Sequence, residues 1–263
     1  MIVLHPALPF APWADPRTRR LPGVMPLDMD DWLRVDDAYA GQMALRDALI
    51  AERVREVHAV LPQAAAAAEE LLALVRPRLP GLGFVAVPGG WRRPDGVVVA
   101  DAAKPLLLLG RLLQNDFCIM QDDGAGEHAL TAAILCFPAG WTLAEKLGRT
   151  LLRVHRPVVP YSEDVGRRVQ RLMDAIRPET PMWRANANYS QAPLFNPQPE
   201  DQDRTLRRMA YPWIRSERQC LIRLPQTRAV VFSIHTYLVR RTDLTPDQAS
   251  ALDAFPLHDP GAV

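Results

Sequence analysis

The stretch RQCLIRLPQTRAVVFSIHTYLV, residues 218–239, decides the fold because it holds two apolar runs separated by a turn segment. Residues 220–224 and 229–239 are both rich in the β-branched and apolar side chains that favour strands. Between them, Leu224-Pro225-Gln226-Thr227 supplies residues that favour a turn. The pattern therefore predicts an antiparallel pair of strands.

Further elements extend this pair in both directions along the chain. Residues 182–189 predict another strand, and residues 116–121 and 129–137 predict a hairpin around the turn-rich DDGAGEH. Residues 97–99 and 106–109 are interpreted as short strands or buried edges. Helical spacing marks a helix from Asp36 or Asp37 through residue 61, His58 included, and a second over residues 63–77.

Three capped helices are also predicted, beginning near Thr142, Ser162 and Thr245. Helices thus come first, followed by a mostly antiparallel sheet with inserted helices. That order is typical of the α+β class. We expect a single domain over residues 1–263, with an extended N-terminal arm over about residues 1–35.

Composition excludes several classes of partner. The 31 basic and 30 acidic side chains give a net charge of +1, which provides no basic surface for nucleic acid or anionic lipid. The apolar run at residues 105–110 is far shorter than a membrane span, and MIVLHPALPFAPW has no basic region typical of a signal peptide. Three widely spaced cysteines indicate free thiols in a reducing compartment, so a cytoplasmic location is expected.

Common enzyme signatures are missing from the sequence: it contains no GxGxxG, Walker A, HExxH, CxxC or GxSxG motif. Two of the six histidines are candidates for metal ligation. His155 ends an apolar stretch and lies two residues before Pro157, which restricts the backbone that follows it. His235 lies in the predicted strand 229–239. Either histidine is also compatible with an ordinary buried position.

Strand alternation separates apolar from polar side chains on two strands. In residues 229–239, Ser233, His235 and Tyr237 share the face opposite the apolar one. In residues 182–189 the polar face carries Arg184, Asn186 and Asn188. These faces are directed either to solvent or to a common pocket with a few placed polar groups.

Five segments in this order resemble the heme-dependent oxidative N-demethylase family. They are PLDMDDWLRVDDAYAGQMALR, QNDFCIMQDD, ILCFPAGWTLAEKLGRTLLRVHRPVVPY, MWRANANYSQAPLF and RQCLIRLPQTRAVVFSIHTYLV. The resemblance runs from about residue 22 to residue 252. It implies a PAS-like sheet that carries heme b and the oxidative removal of a methyl group from a small secondary amine such as dimethylamine. Formaldehyde and a primary amine are the implied products, and subunits with flavin, iron–sulfur and folate sites are the implied partners.

Carried onto this chain, the resemblance makes His155 the iron ligand. Lys146 and Arg184 become candidates to pair with the heme propionates. Asn186, Asn188, His235 and Tyr237 remain candidates to line the substrate pocket.

The chain departs from the family pattern near the implied pocket. Val158 and Val159 separate Pro157 from Pro160, where the family has a shorter PVP segment followed by Gly. His235 stands where the family usually has Arg, which makes it either a rival to His155 as the iron ligand or a second axial ligand. The WRANW-type string here continues as Ala187-Asn188. Two alternatives to the enzyme therefore remain: a non-catalytic heme sensor and a heme-free binding domain.

Overall fold

The fold is described from a computed structural model. It describes residues 2–19, 22–101, 104–155, 163–200 and 211–257; for His155, Glu163, Asp164, Val165 and Arg167 it describes the backbone alone. The predicted cap at Ser162 and the departures at Val158 and Val159 lie outside these residues.

Helices are concentrated in the first half of the chain and reappear after the first hairpin. Their bounds are α1 Pro16–Arg19, α2 Tyr39–Glu52, α3 Val54–Val57, α4 Ala65–Val75, α5 Pro105–Leu112, α6 Leu143–Lys146, α7 Leu151–His155, α8 Glu163–Ala175 and α9 Pro246–Ala254. The strands are β1 Met25–Pro26, β2 His58–Val60, β3 Val85–Val87, β4 Gly90–Arg92, β5 Val98–Ala100, β6 Asp116–Asp122, β7 His128–Ile134, β8 Met182–Ser190, β9 Trp213–Arg223 and β10 Val230–Arg240.

Seven of these strands form one antiparallel sheet in the order β1-β8-β9-β10-β6-β7-β2, and β3, β4 and β5 form a small second sheet. The predicted hairpins β6–β7 and β9–β10 are confirmed, and so is the α+β class. The PAS-like subtype and the single domain over residues 1–263 stay predictions.

Both faces of the large sheet are covered. The face that carries Val231, Ser233, His235 and Tyr237, called here the arm side, packs against the N-terminal arm and against α2, α4 and α5. The opposite face, which carries Val230 and Phe232 and is called here the α8 side, packs against α6, α7 and α8. Burial on both faces explains why long apolar stretches of β6 and β7 show little alternation.

The N-terminal arm is held by both its backbone and its side chains. The amide N–H of His5 donates to the carbonyl of Leu238 on β10 at 2.7 Å. Leu8 and Trp13 are buried against Ile214 and Tyr237. The arm thus covers part of the arm side and closes it to solvent.

Two sequence interpretations are wrong. Residues 106–109 form part of helix α5, which has Pro105 in its first turn. The prediction failed because the apolar run is too short for periodicity to distinguish a strand from a helix. His58 lies in strand β2, since the predicted long helix ends at Glu52 and the short α3 ends at Val57.

The caps show one confirmed and one altered prediction. The capping box of α9 is present, with the Thr245 hydroxyl accepting from Gln248 N–H and the Gln248 side chain accepting from Thr245 N–H. At α6 the Thr142 side chain makes no cap; its hydroxyl instead donates to Glu145 at 2.5 Å. Among the described helices, none has the length and apolar character to cross a membrane.

Candidate functional site

His235 lies on the arm side, where it is 1% exposed. Its Nε2 lies 2.8 Å from Oδ2 of Asp36, and Nε2 of His5 lies 3.0 Å from the same oxygen. Oδ1 of Asp36 accepts from the Gln114 side chain at 2.7 Å and from Ala38 N–H at 3.0 Å. One carboxylate thus joins the arm, the start of α2 and the central strand β10.

Two histidines and a carboxylate whose ligand atoms lie within 4.8 Å of one another are a possible metal set. The hydrogen bonds argue against this use. Leu238 N–H donates to Nδ1 of His5 at 3.2 Å, so Nδ1 carries no proton and Nε2 is the donor to Asp36. A histidine that binds metal through Nε2 instead donates from its other nitrogen. The cluster is therefore best described as a hydrogen-bonded link between arm and sheet.

The pKa values of both groups in this link are lowered, which leaves His235 neutral and Asp36 ionised. Burial lowers the pKa of His235 below its ordinary value of 6.5, so the ring is neutral. Burial alone would raise the pKa of Asp36, but hydrogen bonds from His235 and His5 hold it far below 3.8. His235 Nδ1 is buried and has no hydrogen-bond partner among the described residues.

A second polar cluster lies on the α8 side of strands β8 and β9. The register pairs Arg184 with Gln219 and Asn186 with Glu217, and directly paired residues share a face. We call these four residues the polar square. Their β-carbons are close neighbours in the sheet, so the four side chains surround one small area.

Hydrogen bonding inside the polar square is incomplete. Glu217 accepts from Arg215 Nε at 3.0 Å and from Gln219 Nε2 at 2.9 Å. Arg184 Nε, Asn186 Oδ1 and Gln219 Oε1 are all buried and lack a hydrogen-bond partner among the described residues. Each such atom costs about 1–3 kcal/mol. Three of them in one square mark a place where a ligand would complete the bonding.

Arg184 is the unusual cation of this square. Burial lowers the pKa of its guanidinium, and the attraction of Glu217 offsets only part of that effect. Glu217 is already paired with Arg215. Because a cation shielded from water is stabilised by a paired anion, Arg184 is left without an ion-pair partner among the described residues.

Lys146 and the backbone of His155 lie near one another at the helices that cover the α8 side. Lys146 is 4% exposed, and its Nζ donates to the carbonyl of Val154 and to Glu200 Oε1 at 3.0 Å. Arg153 also pairs with Glu200, at 3.0 Å. His155 is the last residue of α7, and its side chain lies outside the described part of the structure.

The register separates the two sets of side chains that the sequence placed in one pocket. His235 pairs with Arg218 and Tyr237 pairs with Ser216, which are neighbours of Ala185 and Ala187 on the arm side. Arg184, Asn186 and Asn188 point to the α8 side. The polar face of β10 is neither in solvent nor continuous with that of β8, because the arm covers it.

The remaining candidates take different positions. Tyr237 is buried, and its hydroxyl accepts from Arg34 at 3.5 Å. Asn188 is exposed near the end of β8. Asn186, and not these two, therefore shares the polar square with Arg184.

Sequence reasoning missed Glu217 and Gln219, because the predicted strand began at residue 220 whereas β9 begins at Trp213. A signal was present: Arg215, Glu217 and Gln219 alternate at period 2. Two surface clefts lie elsewhere, one of about 370 Å³ beside His128 and Arg223 and one of about 570 Å³ beside Trp213 and Arg241. Neither is lined by the polar square.

The fold and this site define an α+β protein with an incompletely bonded polar cluster on one covered face of its sheet. Comparison with known families assigns the chain more narrowly. Residues 23–82 and 88–254 match the family described as haem-dependent oxidative N-demethylase, alpha subunit-like, and the chain belongs to that family. The family description names heme as the group on which its members depend.

The residues present fit such a group. Heme carries two carboxylates, and half-buried Arg184 offers a guanidinium whose buried Nε is unpartnered in the described residues. Apolar side chains flank it on the same face, among them Leu221, Phe232 and Met182. An anionic, flat and largely apolar cofactor matches that combination of surfaces.

Proposed function

We propose that this chain is the heme b-binding subunit of an oxidoreductase that removes a methyl group from a small secondary amine such as dimethylamine. The amine carbon is oxidised by two electrons with loss of a proton, which gives an iminium ion. Water adds to the iminium carbon, and the C–N bond breaks to give formaldehyde and a primary amine. The electrons leave to a partner subunit that carries flavin or iron–sulfur groups.

The observation that carries the proposal, beside the family membership, is the guanidinium of Arg184. The residue is half-buried on the α8 side, partial burial lowers its pKa, and its buried Nε has no partner among the described residues. A carboxylate of the cofactor pairs with it and removes that penalty. Arg184 thus binds and orients the group.

His155 and Lys146 complete the proposed binding residues. His155, at the end of α7, would hold the heme iron through its imidazole. Lys146 is available for the second carboxylate once it exchanges Glu200 for it. Bound heme supplies the redox centre, and the protein contributes ligation, orientation and exclusion of water.

A cytoplasmic location forms part of the proposal. Cys118, Cys136 and Cys220 are all free and buried. Burial raises the pKa of the Cys220 thiol to about 11, so this thiol stays protonated and unreactive at neutral pH. Such thiols are typical of a reducing compartment.

Absorption spectra of the purified, heme-reconstituted protein test the proposal. We expect a Soret band that changes on reduction and that is shifted or lost in His155→Ala. His58→Ala is the matched control, because His58 lies in β2 and pairs with Ile134 of β7. An unchanged spectrum in His155→Ala refutes the ligand assignment.

The activity is tested on the same sample. Dimethylamine added without oxygen should reduce the heme, and formaldehyde should form when an electron acceptor is supplied. Heme binding without any response to methylated amines would indicate a sensor instead of an enzyme. A protein that stays colourless with excess heme would refute both.

A further inference from the structure

We infer that Gln219 and Asn186 form the subsite that accepts the N–H groups of the amine, so that Gln219 determines specificity for N–H-bearing amines. The inference rests on the proposed function and adds to it two recognition residues. It is carried by the two unpartnered amide oxygens of the polar square, Gln219 Oε1 and Asn186 Oδ1.

The orientation of the Gln219 amide follows from its neighbour. Its Nε2 donates to Glu217 Oε2 at 2.9 Å. A carboxylate oxygen only accepts, so the NH₂ group must face Glu217 and the carbonyl oxygen must face away from it. Gln219 Oε1 is therefore an acceptor by necessity, whichever way the rest of the square is arranged.

Burial makes this acceptor costly without a donor. Gln219 is 6% exposed and lies directly opposite Arg184 in the register. Even so, Arg184 Nε and Gln219 Oε1 both lack partners among the described residues, so neither satisfies the other. Asn186 Oδ1 lies one register pair along the same face and adds a second buried acceptor.

The net charge around the subsite determines the order in which the cofactor and the amine bind. Arg184 and Arg215 contribute two positive charges and Glu217 one negative charge, so these three described groups sum to +1. An ammonium ion is repelled by that sum, and an anion is attracted. Pairing of Arg184 with a cofactor carboxylate brings the sum to zero, after which an amine or ammonium N–H can occupy the two free oxygens.

A small N-methylated amine matches this subsite in hydrogen bonding. Two acceptors in neighbouring register pairs fit a nitrogen that carries two N–H groups, as protonated dimethylamine does. Tetramethylammonium has the same charge but no N–H, so it leaves both oxygens unsatisfied. Selection by N–H donors is strong where buried acceptors would otherwise stay unpaired.

The test is a binding series on heme-loaded protein at neutral pH, measured by calorimetry and by the heme absorption. Dimethylammonium, trimethylammonium and tetramethylammonium all carry one positive charge, so the series changes the number of N–H donors from two to none. We expect the wild-type affinity to fall along the series, by about tenfold for each donor lost. Gln219→Met should remove at least one of those steps.

Matched variants keep the result interpretable. Gln226→Met makes the same change in the exposed turn between β9 and β10 and should leave the series unaltered. Gln219→Asn keeps the amide but shortens its reach, and an intermediate loss is expected. Carbon monoxide binding to the reduced heme reports whether each variant retains an intact heme site.

The outcomes separate the two levels of inference. Wild-type protein that binds heme and dimethylammonium with no dependence on N–H number overturns the subsite alone. Equal discrimination in Gln219→Met and wild type does the same. If the wild-type protein binds no heme, or binds heme but none of the three ions, the proposed function and the subsite are both overturned.

Discussion

Asp36 and His235 are 199 residues apart in the sequence, yet Oδ2 of the first lies 2.8 Å from Nε2 of the second. His5 shares that oxygen, while Gln114 and Ala38 occupy the other. The groups from His235, His5, Gln114 and Ala38 that surround this carboxylate all donate hydrogen bonds.

Asp36→Asn replaces one carboxylate oxygen by an NH₂ group, so this NH₂ must face a donor instead of an acceptor. We therefore expect the free energy of unfolding to fall by about 3 kcal/mol.

Chemical denaturation of the two proteins measures this difference. Asp37→Asn is the matched control, since Asp37 is the adjacent, exposed carboxylate. Its effect should stay within about 0.5 kcal/mol. Equal effects of the two substitutions would show that the Asp36 link contributes nothing specific.

The same link predicts how stability depends on pH. The pKa of His235 is lowered on folding, so its contribution is complete above 6.5 and is lost as the pH falls below that value. The pKa of Asp36 is also lowered, and its contribution is lost only at pH values below 3.8. Stability should therefore decline first as the pH falls below 6.5, by up to about 1.4 kcal/mol per pH unit.

His235→Gln tests the assignment, because glutamine retains an N–H donor for Asp36 but does not titrate. We expect unfolding measured at pH 7.5, 6.5 and 5.5 to show a shallower slope in this variant. A slope identical to that of the wild type would place the titration on other groups, such as His128, whose pKa is also lowered by burial.

Arg184 predicts opposite effects in the heme-free and heme-loaded protein. Arg184→Met removes a half-buried cation whose buried Nε has no partner among the described residues, so the heme-free protein should be as stable as the wild type or up to about 2 kcal/mol more stable. Heme affinity should fall about tenfold, since one charge-assisted pair is lost. Denaturation and heme titration measure the two effects.

The control for this pair of measurements is Arg92→Met, which removes an exposed arginine of β4. Both quantities should stay at their wild-type values. A large loss of heme-free stability in Arg184→Met would mean that Arg184 has a structural role instead.

Glu200 and a cofactor carboxylate would compete for Lys146. Glu200 accepts from Lys146 Nζ at 3.0 Å and would have to release it for a cofactor carboxylate. Glu200→Gln should therefore raise heme affinity by about threefold, and Lys146→Met should lower it by a similar factor. Heme titration of the two variants is the measurement, and no change in either would leave Lys146 as a structural partner of Glu200.

Gly110 lies at a tight contact between α5 and the large sheet. A β-carbon at this position would lie 2.6 Å from Cγ1 of Ile134 and 3.2 Å from Cδ1 of Ile50. Gly110→Ala should lower the free energy of unfolding by about 1 kcal/mol or more, although alanine favours helix. Gly81→Ala meets nothing within 4 Å and should change it by less than about 0.5 kcal/mol.

The strands of the large sheet were predictable where alternation and turn residues agreed. Pro225 and its neighbours marked the β9–β10 hairpin, and the glycine-rich turn marked β6–β7. Residues 106–109 were misassigned because four apolar residues fit a strand and a buried helix equally well. The start of β9 was missed because charged and polar residues precede Cys220.

The candidate site was only partly predictable, for a physical reason. Alternation correctly separated His235 from the apolar face of β10, and Arg184 from that of β8. It could not show which face of one strand adjoins which face of the next, because that depends on register. Nor could it show that the arm around His5 covers His235, since the contact joins distant parts of the chain.

The pairing of His5 with Leu238 also sets an order of events during synthesis. These residues are 233 positions apart, and the arm docks on strand β10, which is synthesised long after the arm. The segment made early must therefore wait, undocked, until the last strand of the large sheet is in place. Closure of so long a loop is slow compared with local pairing, which makes arm docking one of the late steps of folding.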